Sequence, residues 1–142
     1  MTTEPHAELE DWERELLEEA RVAHLGLLDS EDRPRVLPVT FALAGGLIWS
    51  AIDEKPKRAD REPARLRFLR RRPDVALTAD RYDDDWSRLA WVQVLGTASL
   101  REIGDEPAAA AALAEKYGPY RERRPPGPLI AIAPERVISW RA

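Results

Sequence analysis

The basic turn EKPKR, residues 54–58, places three cationic side chains directly after the apolar run LIWSAI, in a chain whose net charge is -4. Only three lysines occur in the sequence, and two of them, Lys55 and Lys57, fall in this turn. Pro56 stiffens the segment, and a predicted helix begins just after it, where backbone N–H groups favour an anion. Lysine supplies a compact charge, and the Arg58 fork can bind two phosphate oxygens. These residue types and their spacing predict an anion-binding turn, with phosphate as a well-suited anion.

A second basic segment, RFLRRR at residues 67–72, admits three interpretations. Residues 55–72 hold nine basic and two acidic side chains, whereas residues 1–19 hold eight acidic side chains and one arginine. The arginines of RFLRRR share a predicted helix with an apolar stripe, which favours a solvated helical face. Contact with the anionic tail of a small molecule is the second interpretation. Nucleic-acid binding is the third, and it is disfavoured because Phe68 is a lone aromatic and the whole chain is acidic.

Other familiar catalytic patterns are absent from the sequence. The chain has no cysteine, which excludes a disulfide, a thiolate metal site and a thiol nucleophile. It contains no HExxH, GxSxG, Walker or GxGxxG motif. His24 is interpreted as a structural strand residue, and Asp83, Asp84 and Asp85 as a solvated loop in preference to a Mg²⁺ site. We therefore expect no metal and no acid–base catalytic residue.

Length and apolar patterning predict a single domain over residues 1–142. Leu9, Trp12, Leu16 and Leu17 recur at helical spacing, which predicts an amphipathic helix over residues 7–21, followed by the body of the domain over residues 22–142. The first twenty residues lack the pattern of a secretory signal, and no apolar run approaches the roughly 20 residues that cross a bilayer. We expect a cytoplasmic protein with no membrane contact.

The order of the predicted elements favours a mainly antiparallel β-barrel that carries helices. VAHLGLLD, PRVLPVTFAL and LIWSAI predict three strands, with AGG as a hairpin turn. Pro34 and Pro38 each remove a ladder donor, which predicts an edge or bulge. A helix over about residues 62–72, capped by Asp60, precedes the strands DVALTADRY and RLAWVQVLGTASLRE, where Gly96 predicts a bend or bulge. DEPAAAAALAEKYG predicts a helix, PYRERRPPGP a loop and LIAIAPERVISW one or two final strands.

In this order, the segments resemble the pyridoxamine 5'-phosphate oxidase-like split-barrel superfamily, and in particular its F420-dependent branch. The resemblance lies in RVAHLGLLDSEDRPRVLPVTFALAGGLIWSAIDEKPKR and LRFLRRRPDVALTADRYDDDWSRLAWVQVLG, and covers about residues 20–102 together with APERVISW. Its motifs are R-P-x-V-x-P-V, K-P-K-R and L-x-x-L-x-x-x-P-x-V-x-L. The resemblance implies a six-stranded antiparallel split β-barrel of the FMN-binding type, assembled as a homodimer whose subunits share each cofactor site.

The resemblance also implies a set of cofactor-binding residues. In the family, the backbone and side chains of the second strand line the cofactor ring, and that strand here supplies Arg35, Leu37, Pro38, Val39 and Thr40. The end of the third predicted strand adds Ser50 and Ala51. The basic turn places three cations on the phosphate, namely Lys55, Lys57 and Arg58. The region of the fifth predicted strand is expected to reach the cofactor from the partner subunit, through Trp86, Arg88, Trp91 and Gln93.

Two additional hypotheses concern tryptophans and arginines. Trp49, Trp86 and Trp91 are candidates to wall the substrate space, with core packing as an equally strong alternative. Arg65 and the Arg70, Arg71 and Arg72 cluster are candidates to meet the anionic oligoglutamate tail of F420.

Two departures from the flavin-using members favour F420 over FMN. Thr40 stands where pyridoxamine oxidases that use FMN have a lysine, and Trp91 stands where they have a glutamine. Their C-terminal arginine-rich substrate motif is not evident in PERVISWRA. The resemblance thus implies an F420-dependent oxidoreductase that transfers a hydride between the deazaflavin and a small organic substrate. A non-catalytic or FMN-dependent flavin-binding barrel is the alternative, and a nucleic-acid-binding barrel is a less favoured one.

Overall fold

The computed structural model describes residues 7–52 and 62–142. The predicted phosphate turn with Lys55, Lys57 and Arg58, and the predicted cap Asp60, lie outside the described residues. The elements in chain order are α1 (Asp11–Glu19), β1 (Ala23–Leu28), β2 (Pro34–Val39), β3 (Ala42–Ala44), β4 (Leu47–Ser50), α2 (Ala64–Arg71), β5 (Asp74–Arg81), β6 (Ala90–Arg101), α3 (Pro107–Lys116), α4 (Gly118–Glu122) and β7 (Leu129–Arg141). Two short 3₁₀ turns cover Trp86–Arg88 and Ile103–Asp105. None of the helices in these ranges combines the length and apolar character that a bilayer crossing requires.

The strands of the described chain form one seven-stranded sheet in the order β2-β1-β5-β6-β7-β4-β3. Every pairing in it is antiparallel, so the predicted mainly β, antiparallel architecture is confirmed. The sheet has one strand more than predicted because PRVLPVTFAL, predicted as a single strand, is divided into β2 and β3. The division falls at Thr40 and Phe41, between the last β1–β2 pair at Val39 and the first β3–β4 pair at Ala42.

Proline and glycine positions agree with the predicted edge and turn. Strand β2 lies at one edge of the sheet, where the missing N–H groups of Pro34 and Pro38 are tolerated. Gly45 and Gly46 connect β3 to β4 with φ angles of 61° and 79°, a conformation that other residues rarely adopt. Both predictions, the edge strand and the hairpin, are confirmed.

The core consists of two apolar clusters on the sheet. In the larger one, α1 and α2 pack on alternate strand residues, and on β6 every second residue from Ala90 to Ala98 is buried. The smaller cluster holds α3 and α4 against the β3–β4 hairpin and β7. Each fully buried leucine in these clusters contributes roughly 1.5–3 kcal/mol. The fully buried leucines of the helices are Leu17, Leu66 and Leu113.

The helices are shorter than predicted, and one of them was not predicted. Helix α1 spans nine residues inside the predicted range 7–21, and α2 spans eight inside the predicted range 62–72. The predicted loop PYRERRPPGP contains the short helix α4, with Pro119 in its first turn. The loop prediction was wrong there because Tyr120 is 9% exposed and packs edge-to-face on Tyr117, with ring centroids 5.5 Å apart. Buried aromatic packing therefore stabilises a turn whose Gly-Pro sequence indicated a loop.

Gly96 lies at the irregularity between β6 and β7. The register shifts between Leu95 and Gly96, and Glu135 is the extra residue on β7. A Cβ atom on Gly96 would lie 2.2 Å from the carbonyl oxygen of Ala133. The predicted bulge is confirmed, and the close approach of the two backbones explains the glycine.

We expect Gly96→Ala to lower the free energy of unfolding by about 2–3 kcal/mol, because a backbone oxygen cannot move aside as a side chain can. Gly104→Ala is the matched control, since its nearest contact would be Arg124 Nη2 at 3.6 Å. Chemical denaturation of both variants measures the effect. Equal denaturation midpoints for the two variants would contradict the close-approach explanation.

Lys116, the last residue of α3, ties that helix to α1. Its Nζ donates to the Leu17 carbonyl oxygen at 3.0 Å and lies 3.7 Å from the centroid of the Phe41 ring. Arg21 Nη2 donates to the Lys116 carbonyl oxygen at 2.8 Å. Burial, and then the positive charge of Arg21, lower the pKa of Lys116 to about 8, partly offset by the negative charge of Glu18. The charged form of Lys116 is therefore less favourable in the folded protein than in water, and its burial lowers the free energy of unfolding.

This pKa predicts how stability depends on pH. Below pH 8 both the folded and the unfolded chain carry the charge, so the penalty is fully present. As pH rises from 8 toward 10.5, the folded protein loses the proton first, and the free energy of unfolding rises. After allowing for partial solvent exposure, we expect a gain of about 1–2 kcal/mol relative to Lys116→Met. Urea denaturation of both proteins from pH 7 to 10 measures it, and parallel pH profiles would refute it.

Candidate functional site

The junction between β2 and β3 brings predicted site residues together. Ser50 Oγ, at the end of β4, donates to the Thr40 carbonyl oxygen at 2.8 Å. Ser50 is 0% exposed, and its neighbour Ala51 is also buried. Beside the β3–β4 ladder, the Ser50 hydroxyl therefore links the third predicted strand to Thr40 of the second, where the resemblance placed the cofactor ring.

Two tyrosines from the C-terminal third of the chain complete this junction. The Tyr117 hydroxyl accepts from the Phe41 N–H at 3.1 Å and donates to the Arg21 carbonyl oxygen at 2.8 Å, with the Phe41 carbonyl oxygen 3.2 Å away. The Tyr120 hydroxyl is 2.7 Å from Thr40 Oγ1. Burial raises the pKa of Tyr117, with hydrogen bonding to Phe41 and the charge of Arg21 acting in the opposite direction. The hydroxyl therefore keeps its proton at neutral pH.

Sequence reasoning did not identify Tyr117 and Tyr120. The available signal is the segment KYGPY, in which two tyrosines flank a Gly-Pro at the end of an alanine-rich helix. Buried tyrosine hydroxyls need polar partners. The sequence gives no indication that those partners lie in the segment TF, more than seventy residues earlier.

The predicted ring-lining strand β2 presents its side chains to two different faces. Val36 and Pro38 are exposed on the outer face, whereas Val39 is buried and Leu37 packs against the larger core cluster. Arg35 is partly exposed and lies 3.7 Å from a carboxylate oxygen of Asp29. Four of the five predicted residues therefore share the backbone of an edge strand, whose one strand neighbour in the described sheet is β1. The fifth, Thr40, directly follows that strand. Such an edge presents N–H and C=O groups to a ligand.

The outer face of the sheet carries the predicted residues of β6. Pro38, His24, Thr78 and Gln93 are paired across β2, β1, β5 and β6, so their side chains share one face. Gln93 Nε2 donates to Thr78 Oγ1 at 3.1 Å. Three strand spacings, about 14 Å, separate Gln93 from Pro38 within a subunit.

The loop before β6 holds the most exposed aromatic of the predicted set. Trp86 is 69% exposed, and Trp91 is partly buried opposite Trp140 of β7. Arg88 Nε lies 3.4 Å from a carboxylate oxygen of Asp83. In the sheet order, β1 and β5 lie between β2 and β6, the strand that carries Trp91.

Trp49 is a core residue. It is 4% exposed within the smaller cluster, and its Nε1 donates to the Ala44 carbonyl oxygen at 3.0 Å. This geometry favours the core-packing interpretation over a substrate wall.

The arginines of α2 tie that helix to the β1–β2 turn. Arg71 donates to both carboxylate oxygens of Asp32, at 2.8 and 3.2 Å, and Arg72 lies 3.3 Å from one of them. The hydrogen bond from Arg71 lowers the pKa of Asp32. Arg70 pairs with Glu62. These partners favour the solvated helical face among the three interpretations of RFLRRR.

Two grooves in the described part of the chain lie away from the predicted cofactor residues. A groove of about 710 Å³ runs between α1 and the β3–β4 hairpin, and a second of about 430 Å³ lies between α1 and α3. Neither contains a residue of the predicted cofactor set. In the described ranges no group of three or more His, Asp or Glu side chains is placed to hold a metal ion.

Comparison with solved structures shows the fold. A conserved hypothetical protein from Mycobacterium tuberculosis is similar at 17% identity and a TM-score of 0.72, over 99% of this chain and 90% of that one. An FAD-binding protein from Mesorhizobium loti is similar at 18% identity and a TM-score of 0.66, over 92% of this chain and 94% of that one. An F420 reductase is similar at 19% identity and a TM-score of 0.63, over 92% of this chain and 98% of that one. Among curated proteins no match is found.

The family follows from a match over nearly the whole chain. Residues 9–141 match the family described as pyridoxamine 5'-phosphate oxidase. This range includes α1, all seven strands, the helices α3 and α4, and Tyr117 between those two helices. The antiparallel sheet with its added helices is therefore the flavin-binding split-barrel fold, and the chain belongs to the pyridoxamine 5'-phosphate oxidase family.

Proposed function

We propose that the protein is an F420-dependent oxidoreductase acting on a small, electron-poor organic substrate. The observation that carries the cofactor choice is Thr40. At the end of β2, where FMN-using oxidases of the family have a lysine, this chain has a neutral hydroxyl that is held by Tyr120 at 2.7 Å. When bound, F420 supplies the hydride chemistry, so the protein needs no acid–base residue of its own.

The residues of the chain bind and orient the cofactor. The edge strand β2 offers backbone N–H and C=O groups to the ring, and the Thr40 carbonyl is fixed by Ser50. Lys55, Lys57 and Arg58 follow β4 in sequence and bind the phosphate, a proposal that rests on the sequence alone. Arg35 adds a cation at the far end of β2.

A second copy of the chain completes the site in this proposal. Within one subunit, β1 and β5 lie between β2 and β6, so we propose that Trp86, Arg88 and Trp91 reach the cofactor from the partner subunit. The outer sheet face exposes Val36 at 67% and Trp140 at 46%, which is apolar surface that a second subunit would cover. The split-barrel homodimer therefore supplies these three residues across its interface.

The similarity to an F420 reductase supports this cofactor, and the similarity to an FAD-binding protein favours one alternative, a flavin-binding barrel. Nucleic-acid binding has less support, because Arg70, Arg71 and Arg72 are paired with acidic side chains. Affinity for nucleic acid would fall steeply with salt, whereas affinity in a ring pocket would be largely retained.

Cofactor titrations test the proposal directly. We expect the protein to bind F420 about tenfold more tightly than FMN, measured by quenching of each cofactor's fluorescence. Reduced F420 mixed with α,β-unsaturated carbonyl compounds and the protein should return to its oxidised absorbance. Equal or tighter binding of FMN would overturn the cofactor choice. Binding of F420 without turnover would favour the alternative of a non-catalytic cofactor-binding barrel.

The basic turn is tested by Lys57→Ala combined with Arg58→Ala. Loss of two charged phosphate contacts should weaken F420 binding about tenfold to a hundredfold. Arg123→Ala combined with Arg124→Ala removes the same charge from an exposed segment and serves as the control. Unchanged affinity in the Lys57 and Arg58 variant would show that the phosphate binds elsewhere.

A further inference from the structure

We propose that Tyr120 and Tyr117 are positioning residues for the cofactor, which act through Thr40 and Phe41 and touch neither cofactor nor substrate themselves. This inference rests on the proposed function, because it concerns how the edge offered to the cofactor ring keeps its shape. It assigns a role to α3 and α4, which contain none of the predicted cofactor-binding residues.

The need for such residues arises where the chain leaves one ladder and joins another. Strand pairing to β1 ends at Val39 and pairing to β4 begins at Ala42, so Thr40 and Phe41 lie between the two ladders. Phe41 is 0% exposed, so water cannot satisfy its backbone groups. Unpaired polar groups at a buried position are strongly unfavourable.

Side-chain hydroxyls take the place of the missing strand neighbour. Tyr117 is within hydrogen-bond distance of both the N–H and the C=O of Phe41, at 3.1 and 3.2 Å. Ser50 holds the Thr40 carbonyl, and Tyr120 holds the Thr40 side chain. Three hydroxyls thus determine the backbone path and the Thr40 rotamer at the end of the strand offered to the ring.

Contacts at the α3–α4 junction hold the two tyrosines in place. Lys116, next to Tyr117, is anchored to the Leu17 carbonyl, and Arg21 lies 4.8 Å from the centroid of the Tyr117 ring. The two tyrosine rings pack edge-to-face, and both residues are at most 9% exposed. A rigid support of this kind transmits a fixed geometry to Thr40, as a binding site requires.

The distinguishing experiment compares Tyr120→Phe with Thr40→Val and with the double variant. Tyr120→Phe keeps the ring packing and removes only the hydroxyl that contacts Thr40. We expect each single variant to weaken F420 binding about three- to tenfold and to shift the absorption maximum of the bound cofactor. The double variant should bind as each single variant does, because Tyr120 acts through Thr40. Thr40→Ser, which keeps the hydroxyl, should bind as the wild type does.

A matched control separates this role from general stability. Tyr82 is 68% exposed and its hydroxyl donates to Asp84, so Tyr82→Phe removes a tyrosine hydroxyl away from the junction. It should leave F420 affinity and the absorption maximum unchanged. Thermal melts of all variants show whether a change in affinity accompanies loss of fold.

The outcomes are distinct. If the wild type binds F420 and Tyr120→Phe binds equally well, the positioning role is overturned and the proposed function stands. Additive losses in the double variant also overturn it, because Tyr120 would then act independently of Thr40. If the wild type binds neither F420 nor FMN, the proposed function fails, and this inference fails with it.

Discussion

The structure depends on the hydrogen bonds that the backbone forms at Thr40 and at the buried Phe41. One continuous apolar segment serves two ladders, and at the change from β2 to β3 its polar groups lose their strand neighbours. Each buried group left unpaired would cost about 1–3 kcal/mol. The Phe41 backbone is paired with Tyr117, 76 residues further along the chain, and the Thr40 carbonyl is paired with Ser50. The Thr40 side chain is paired with Tyr120, 80 residues further along. Formation of the strand junction is therefore coupled to docking of the C-terminal helices.

Under the proposed function, this constraint lets the barrel orient a redox cofactor with few chemically reactive side chains. Members of the family place the reaction on the cofactor, and the protein's task is to orient a ring and exclude water. An edge strand with a fixed backbone suits that task, because its N–H and C=O groups recognise the edge of a planar ring. The proposed site is thus a matter of backbone position, with side-chain hydroxyls as its supports.

Arginine and lysine have different roles in the molecule. Arg71 uses its planar fork to hold both oxygens of Asp32, and this joins α2 to the β1–β2 turn. Lys116 uses a compact ammonium that fits between a backbone carbonyl and the face of Phe41. Arginine predominates over lysine in the sequence, and exposed arginines form further ion pairs at Arg70, Arg88 and Arg101. Lys55 and Lys57 stand out against it, and they remain the sequence-based argument for a phosphate contact.

The sequence by itself determined the features that depend on local chemistry. Pro34 and Pro38 predicted an edge strand or bulge, Gly45 and Gly46 a hairpin, and Gly96 a bend or bulge. These residues restrict the backbone at their own positions. Their effect can therefore be predicted without knowledge of the rest of the chain. The order of the motifs also identified the family.

Only the tertiary structure decided the division of PRVLPVTFAL into two strands, the helix α4 and the network around Thr40. It also decided that Ser50 and Trp49 are buried, and that Asp32 and Glu62 neutralise the arginines of α2. These features depend on contacts between different parts of the fold. Side-chain type specifies that a hydroxyl or carboxylate needs a partner without specifying which one. Folding chooses the partner, because packing of the apolar clusters fixes which polar groups come within hydrogen-bond distance.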